Sequence, residues 1–369
     1  MWPHMGLNRG PIVSLLGGAV MKYGIILLFL LCATSIAENP YAQSENTLKR
    51  TIRLRGLPND EVPVITALAL QPSGNLLASA GDDHKVRLWD IESGQLQYTL
   101  TDHHDWVTSL AFCEGGTMLL TGGRDRQVLA WNASNGSKPT RLGKHDKPIS
   151  SIVVHEPTSQ VAVVGFRAPL KVYDTKSYSL MNTLACPCQD TRAIAFSPSA
   201  RLLAAAGRNG KIRIWNLETG GKTDVVGHSR RVTSLVFASE YTLLSAGEDR
   251  TIHVWNAVSG KQQQSLRHAS GKVLAITMLD DERFAAATSK NEIPLFRISE
   301  QGPYALLKGH TGSVAALVAR DDHLVSGSFD TTVRVWSVPL VDSNHVSAKR
   351  FETSPFGSES VATRQQYEK

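Results

Sequence analysis

From residue 65 onward the chain alternates short apolar runs with polar turn clusters, and the alternation keeps one length. Each cycle places an aromatic residue near the end of its third apolar run. The series is Trp89 in "KVRLWD", Trp131 in "QVLAWN", Tyr173 in "LKVYD", Trp215 in "KIRIWN", Trp255 in "TIHVWN", Phe296 in "IPLFR" and Trp336 in "TVRVWS". Successive intervals are 42, 42, 42, 40, 41 and 40 residues, so the chain carries seven units of one size. Within a unit the runs have the period of two that a strand imposes by exposing alternate residues on opposite faces. In the fifth unit "VTSLVF" (232–237), "TLLSAG" (242–247), "TIHVWN" (251–256) and "KQQQSL" (261–266) are separated by "ASEY", "EDR" and "AVSG". Such punctuation predicts four antiparallel strands per unit and no helical run.

A lone four-stranded sheet leaves one face wet, so units of this length must stack face to face, as the blades of a ring do. The polar signature then points to a family. "GH" opens units five and seven, "WD" stands at Trp89–Asp90, and "WN", "YD" or "WS" close other units. The chain resembles the WD40 repeat family over about residues 47–338. The resemblance implies an all-β fold: a seven-bladed WD40-type β-propeller whose members mostly bind other proteins. The segment after unit seven, "VDSNHVSAKRF", makes a poor outer strand, whereas "ENTLKRTIRLRG" resembles the fourth-strand segments "GQLQYTL" and "KQQQSLR". Residues 47–54 are therefore expected to supply the last blade's outer strand and close the ring, which removes exposed sheet edges. The expected organisation is a signal peptide or membrane anchor at 1–37, a linker at 38–46, the propeller at 47–340, and a polar, disordered tail at 341–369.

Unit five also presents Ser245, Asp249 and His253 within nine positions, with His228 a short way upstream, a grouping of hydrolase type. Repetition argues against that reading. The family pattern puts a His before the first strand, a Ser or Thr on the second, an Asp in the turn after it, and a Trp on the third. Unit two supplies His103, Thr121, Asp125 and Trp131; unit seven supplies His310, Ser326, Asp330 and Trp336; unit five adds Trp255. Unit one keeps Ser79, Asp83 and Trp89 without the His. An enzyme needs its nucleophile and base once, in one pocket. A set recurring at one place in several blades is expected to fasten turns, with no catalytic residue among its members. His253, between Ile252 and Val254, is expected to face solvent. Units three, four and six lack most of the set, with Val163, Arg167 and Tyr173, Ala205 and Asn209, and Ala286, Lys290 and Phe296 in its place. They are expected to rely on packing alone and to be the most mobile.

By the same resemblance, partner contacts fall on the top face, at the residue before strand one and the residue before the turn Asp. The first set reads Val64, Trp106, Pro148, Asp190, Arg231, Lys272 and Ser313. The second reads Asp82, Arg124, Phe166, Arg208, Glu248, Ser289 and Phe329. The partner-binding candidates are Trp106, Arg124, Phe166, Arg208, Arg231, Lys272 and Phe329, a set rich in Trp and Arg as binding hot spots are.

Composition narrows the partner. The chain of 369 residues is 42% apolar and 20% charged, with a formal charge of +6, enough for a packed core. No Lys/Arg run is present, so nucleic acid is not an expected partner. Lys22 followed by "YGIILLFLLCATSIA" reads as a signal peptide with Ser35 and Ala37 before a cut at Glu38, or as an uncleaved anchor; Met21 is an alternative start. Both forms imply an extracytoplasmic propeller, periplasmic or secreted, that meets membrane only through this segment. Cys113, Cys186 and Cys188 form no disulfide or zinc framework, and no cofactor or metal is expected. The leading expectation is a non-catalytic interaction scaffold for a protein or peptide partner. The alternative is an extracytoplasmic enzyme or small-ligand binder using the central channel, recognisable by a non-repeating cluster of ionisable residues converging there.

Overall fold

The computed structural model describes residues 47–54, 63–143, 145–186, 190–267 and 271–338. The expected signal segment, linker and tail lie outside the described residues, as does Cys188. Among the described residues every regular element apart from two short 3₁₀ turns, Glu114–Gly116 and Glu156–Thr158, is a strand. The strands form seven four-stranded antiparallel sheets, and blades are numbered one to seven in the order of their first strands. Blade five consists of Val232–Phe237, Thr242–Gly247, Thr251–Asn256 and Gln262–Arg267, within one residue of the pattern read from the sequence.

Closure of the ring takes the expected route. Blade seven takes Val314–Arg320, His323–Ser328 and Thr332–Ser337 from the C-terminal repeat, and Leu48–Arg53 from the other end of the propeller sequence. The joining strands are antiparallel, with Arg50 opposite Val335 and Ile52 opposite Val333. The edge strand thus acts as a clasp: its backbone ladder holds residues almost 300 positions apart.

Core packing explains why this repeat cannot fold as one unit. Every main apolar cluster draws on two neighbouring blades, as when Val232 and Leu243 of blade five pack with Ala204 and Ile214 of blade four. One such cluster joins blades seven and one, where Val325 and Val333 meet Ile65 and Leu77. Middle strands are therefore covered on both faces, and Thr251–Asn256 shows only its ends to solvent. This overturns the solvent-facing expectation for His253, which is buried between blades.

A recurrent irregularity shapes the top face. In every blade the register between strands one and two slips after the first residue, for example between Val232 and Ser234 and between Thr191 and Ala193. Such a bulge re-aims the side chain of the extra residue. In blades one, two and five that residue is a threonine: Thr66, Thr108 or Thr233. Its hydroxyl reaches the backbone carbonyl of the next blade's first strand at 2.7–2.8 Å. Blade four has Arg192 there.

Candidate functional site

The polar sets form in blades two, five and seven. In blade five, His228 Nδ1 lies 3.0 Å from both Asp249 oxygens and Nε2 lies 2.7 Å from Ser245 Oγ. The Trp255 indole N–H donates to the same hydroxyl oxygen at 2.8 Å. Blade seven repeats this with His310, Asp330, Ser326 and Trp336 at 2.7–2.8 Å. Blade two repeats it with His103, Asp125, Thr121 and Trp131 at 2.6–2.9 Å. A carboxylate can only accept, so Nδ1 carries the hydrogen, and a neutral ring then accepts at Nε2 from the hydroxyl. The order is indole to hydroxyl to imidazole to carboxylate.

The aspartates also tie two loops together. Asp249 accepts the amide of Ser229 in the loop before strand one at 2.9 Å and that of Thr251 beyond the turn at 3.2 Å. Asp125 and Asp330 do the same through His104 and Gln127, and through Thr311 and Thr332. The residue after each aspartate is left-handed, with φ of 67° at Arg126, 68° at Arg250 and 65° at Thr331. A side chain there is strained, and the carboxylate bonds on either side hold the turn. Burial alone would raise Asp330; the Thr332 hydroxyl, the Thr311 amide and the His310 ring outweigh it and hold the carboxyl at about 2. Asp249, for similar reasons, is held well below the usual carboxylate range.

Blade one holds a substitute that its sequence does not announce. Trp89 donates to Ser79 at 2.8 Å as elsewhere, but the absent histidine is replaced by Arg87, two residues before the tryptophan. Its guanidinium donates to Asp83 at 2.6 Å with both side chains buried. The strand position of Arg87 corresponds to that of His253 in blade five. His253 lies with its ring centroid 4.5 Å from that of His228, and burial pushes it down to about 4. With Asp249 these rings form a compact trio of possible metal donors. Its His228 and Asp249 atoms, however, already bond each other as in the two sister blades.

Blades three and six, which lack the full polar set, are not held by packing alone. In blade three the Tyr173 hydroxyl lies 3.5 Å from His145 Nε2, and burial pushes that histidine down to about 4. Blade six stacks Phe284 on Phe296 with centroids 5.1 Å apart, and Thr288 donates to the Glu292 carbonyl at 2.8 Å across its turn.

On the top face the two contact sets meet pairwise through the backbone. The amides of Arg124, Phe166, Glu248, Ser289 and Phe329 donate to the carbonyls of Trp106, Pro148, Arg231, Lys272 and Ser313. Trp106 and Phe329 are exposed, at 37% and 51%. Arg124 stacks on Trp106 at 4.1 Å. Phe166 is covered by Arg192, absent from the expected set, at 4.4 Å. Arg231 is engaged, bridging Asp190 at 3.2 Å and Glu248 at 3.1 Å, and Lys272 lies 3.7 Å from Glu248. Arg208 is exposed. Cys113 is buried at the far end of its strand, its thiol pushed up to about 12 by burial. Cys186 accepts from Thr191 at 3.3 Å.

Comparison with known proteins agrees with this geometry. The model of the WD domain, G-beta repeat, matches residues 53–90, 94–132, 179–216, 221–256 and 301–337, just over half of the chain. The periodic tryptophan protein 2 homolog of Dictyostelium discoideum is 23% identical over 72% of this chain and 25% of its own length. The target of rapamycin complex subunit wat1 of Schizosaccharomyces pombe is 35% identical over 28% of this chain and 35% of that protein. The nuclear distribution protein PAC1 of Gibberella zeae is 33% identical over 72% of this chain and 52% of its own. The chain thus spans from a quarter to about half the length of these curated relatives. They overturn the extracytoplasmic expectation, because the names they carry are those of a nuclear distribution protein and a target of rapamycin complex subunit rather than of periplasmic or secreted proteins. The segment that suggested export, 1–37, lies outside the described residues. Among the described residues, no helix is long and apolar enough to cross a membrane.

Proposed function

This chain belongs to the WD40 (WD domain, G-beta repeat) family, and we propose that it acts as a non-catalytic scaffold holding a protein or peptide partner on the top face of the propeller. One observation carries the reading. The polar sets that repeat are buried, with Thr121, Ser245 and Ser326 at 0% exposure, whereas the aromatic and arginine residues that do not repeat lie at the surface. A hydroxyl sealed beneath an indole and a histidine cannot reach a substrate carbonyl, so the trio of blade five reads as a turn fastener. Trp106, Arg124, Phe166, Arg208 and Phe329 instead supply flat apolar area with adjacent charge, the composition from which interface anchors are made. Lys272 and Arg231 contribute at the rim as members of an ion-paired string.

That relatives include a complex subunit by name, the target of rapamycin complex subunit wat1, supports a role in assembly. The test is crosslinking capture with the full chain, compared with a Trp106→Ala/Arg124→Ala/Phe329→Ala variant that melts at the same temperature. Loss of specific crosslinks in the variant supports the reading. Identical crosslinks at identical yield would remove Trp106, Arg124 and Phe329 as partner anchors and overturn the reading.

A further inference from the structure

The top face is not uniform. Between blades three and four lies a cleft of about 210 Å³ lined by Phe166, Arg167, Asp190, Arg192 and Arg208. Three guanidinium groups thus share a small cavity with one carboxylate. Arg192 occupies the bulge position where blades one, two and five place a threonine that bonds the next blade, so it departs from the repeat. Its ring partner, Phe166, holds the guanidinium plane 4.4 Å above its face, and Asp190 Oδ1 lies 3.5 Å from its Nε. Asp190 is divided, since its second oxygen faces Arg231 at 3.2 Å. Arg167 and Arg208 are exposed and have no ion-pair partner among the described residues. Burial and the nearby charges of Arg231 and Arg124 lower Arg192 below its ordinary value despite Asp190. The cavity therefore carries positive charge in excess of what its own acid neutralises.

We propose that this cleft receives an anionic side chain of the partner, a phosphate-bearing or carboxylate residue, held between Arg192 and the free arginines Arg167 and Arg208. The inference rests on the top-face reading and gives it a chemistry. Guanidinium forks match both anions with paired N–H donors. A guanidinium already fixed on a ring loses less freedom on binding than a mobile lysine would. The volume is below the roughly 300 Å³ of ordinary small-ligand pockets, so one acidic group fits and a large cofactor does not.

The probes are three fluorescein-labelled peptides of otherwise identical Gly/Ser sequence carrying a central phosphoserine, glutamate or serine, titrated by anisotropy against the full chain. At least tenfold tighter binding of an acidic peptide than of the serine peptide is expected. Preference for phosphoserine or for glutamate identifies the source of the charge. An Arg167→Glu/Arg208→Glu variant, both positions being exposed, is expected to melt normally and to lose that preference. Equal binding of all three peptides, no binding at millimolar concentration, or an undiminished preference in the variant each overturns the proposal. The broader reading fails separately. If the Trp106/Arg124/Phe329 variant keeps every crosslink while the peptide preference persists, the scaffold interpretation falls and the cleft remains an anion site with no assigned partner; if crosslinks are lost and the preference is absent, the scaffold interpretation stands and the anion cleft falls.

Discussion

Blades five and four sit side by side and are locked by different means. Blade five closes its turn with a chain of four polar groups running from Trp255 to Asp249. Blade four has Ala205 and Asn209 at the matching places, and its second strand is a run of buried small residues, Leu202–Gly207, pressed between neighbours. Its turn is tied more lightly: Asn209 Oδ1 accepts the Lys211 amide at 3.2 Å, and the left-handed position is Gly210, φ 71°, where blade five strains Arg250. A glycine there needs no carboxylate to hold it. The full four-group chain is thus one solution to this geometric demand, and a single amide tie beside a glycine is another. The family pattern matches blade five and blade four, but the matched segments leave out 133–178 and 257–300, which span most of blades three and six.

The comparison can be broken by substitution, beginning where the loss is largest. Blade one depends on a buried ion pair, so Asp83→Ala strands Arg87 and should cost about 3–5 kcal/mol in urea unfolding. A loss below ~1 kcal/mol would show that Arg87 finds water instead. Phe296→Ala removes one ring of the stacked pair in blade six and is expected to cost about 3–5 kcal/mol as well. If it costs no more than a surface change, that blade is held by its turn. Asp249→Ala leaves His228 and two amides without their acceptor, for a loss of roughly 2–3 kcal/mol; an unchanged melting temperature would refute the fastening role.

Acid should separate the blades next. His145 and His253 are pushed from 6.5 to about 4 in the fold. The unfolded chain therefore takes up protons that the folded chain does not, and stability falls as pH drops from about 6.5 toward 4. Asp330, held at about 2, adds a second loss as pH falls from about 4 toward 2. A His145→Phe/His253→Phe variant should show a flatter melting profile across the upper window and an unaltered one across the lower. The smallest effect belongs to blade four: Asn209→Ala is expected to shift stability by less than about 1 kcal/mol. A loss equal to that of Asp249→Ala would erase the distinction between the two blades.

Much of this is legible along the chain because a propeller is built from local repeats. The aromatic spacing gives the seven units, and the strand bounds of blade five come from turn residues alone. The clasp formed by Leu48–Arg53 is readable from its likeness to other outer strands. The candidate site is readable only in part. Position within the repeat locates Trp106, Arg124, Phe166 and Phe329 on the top face, since every blade delivers the same turn to the same rim. Position does not single out Arg192, because the repeat places a bulge there, and a bulge redirects a side chain without changing the sequence period. Nor does it show that Arg231 is engaged, because the two acids that occupy it come from blades four and five.

The sequence by itself determined the number of blades, their strands and the polar sets that fasten the turns of blades two, five and seven, because each depends on chain-neighbour spacing and on hydrogen bonds within one hairpin set. Only the tertiary structure decided which side chains are covered and which charges remain free. Stacking blades buries both faces of a strand, so alternation could not show that His253 lies inside. Charges meet across the seam between blades, where residues some 40 positions apart, such as Asp190 and Arg231, come within 3.2 Å. No spacing rule along one strand encodes that pairing, because it is set by how one twisted sheet leans on the next.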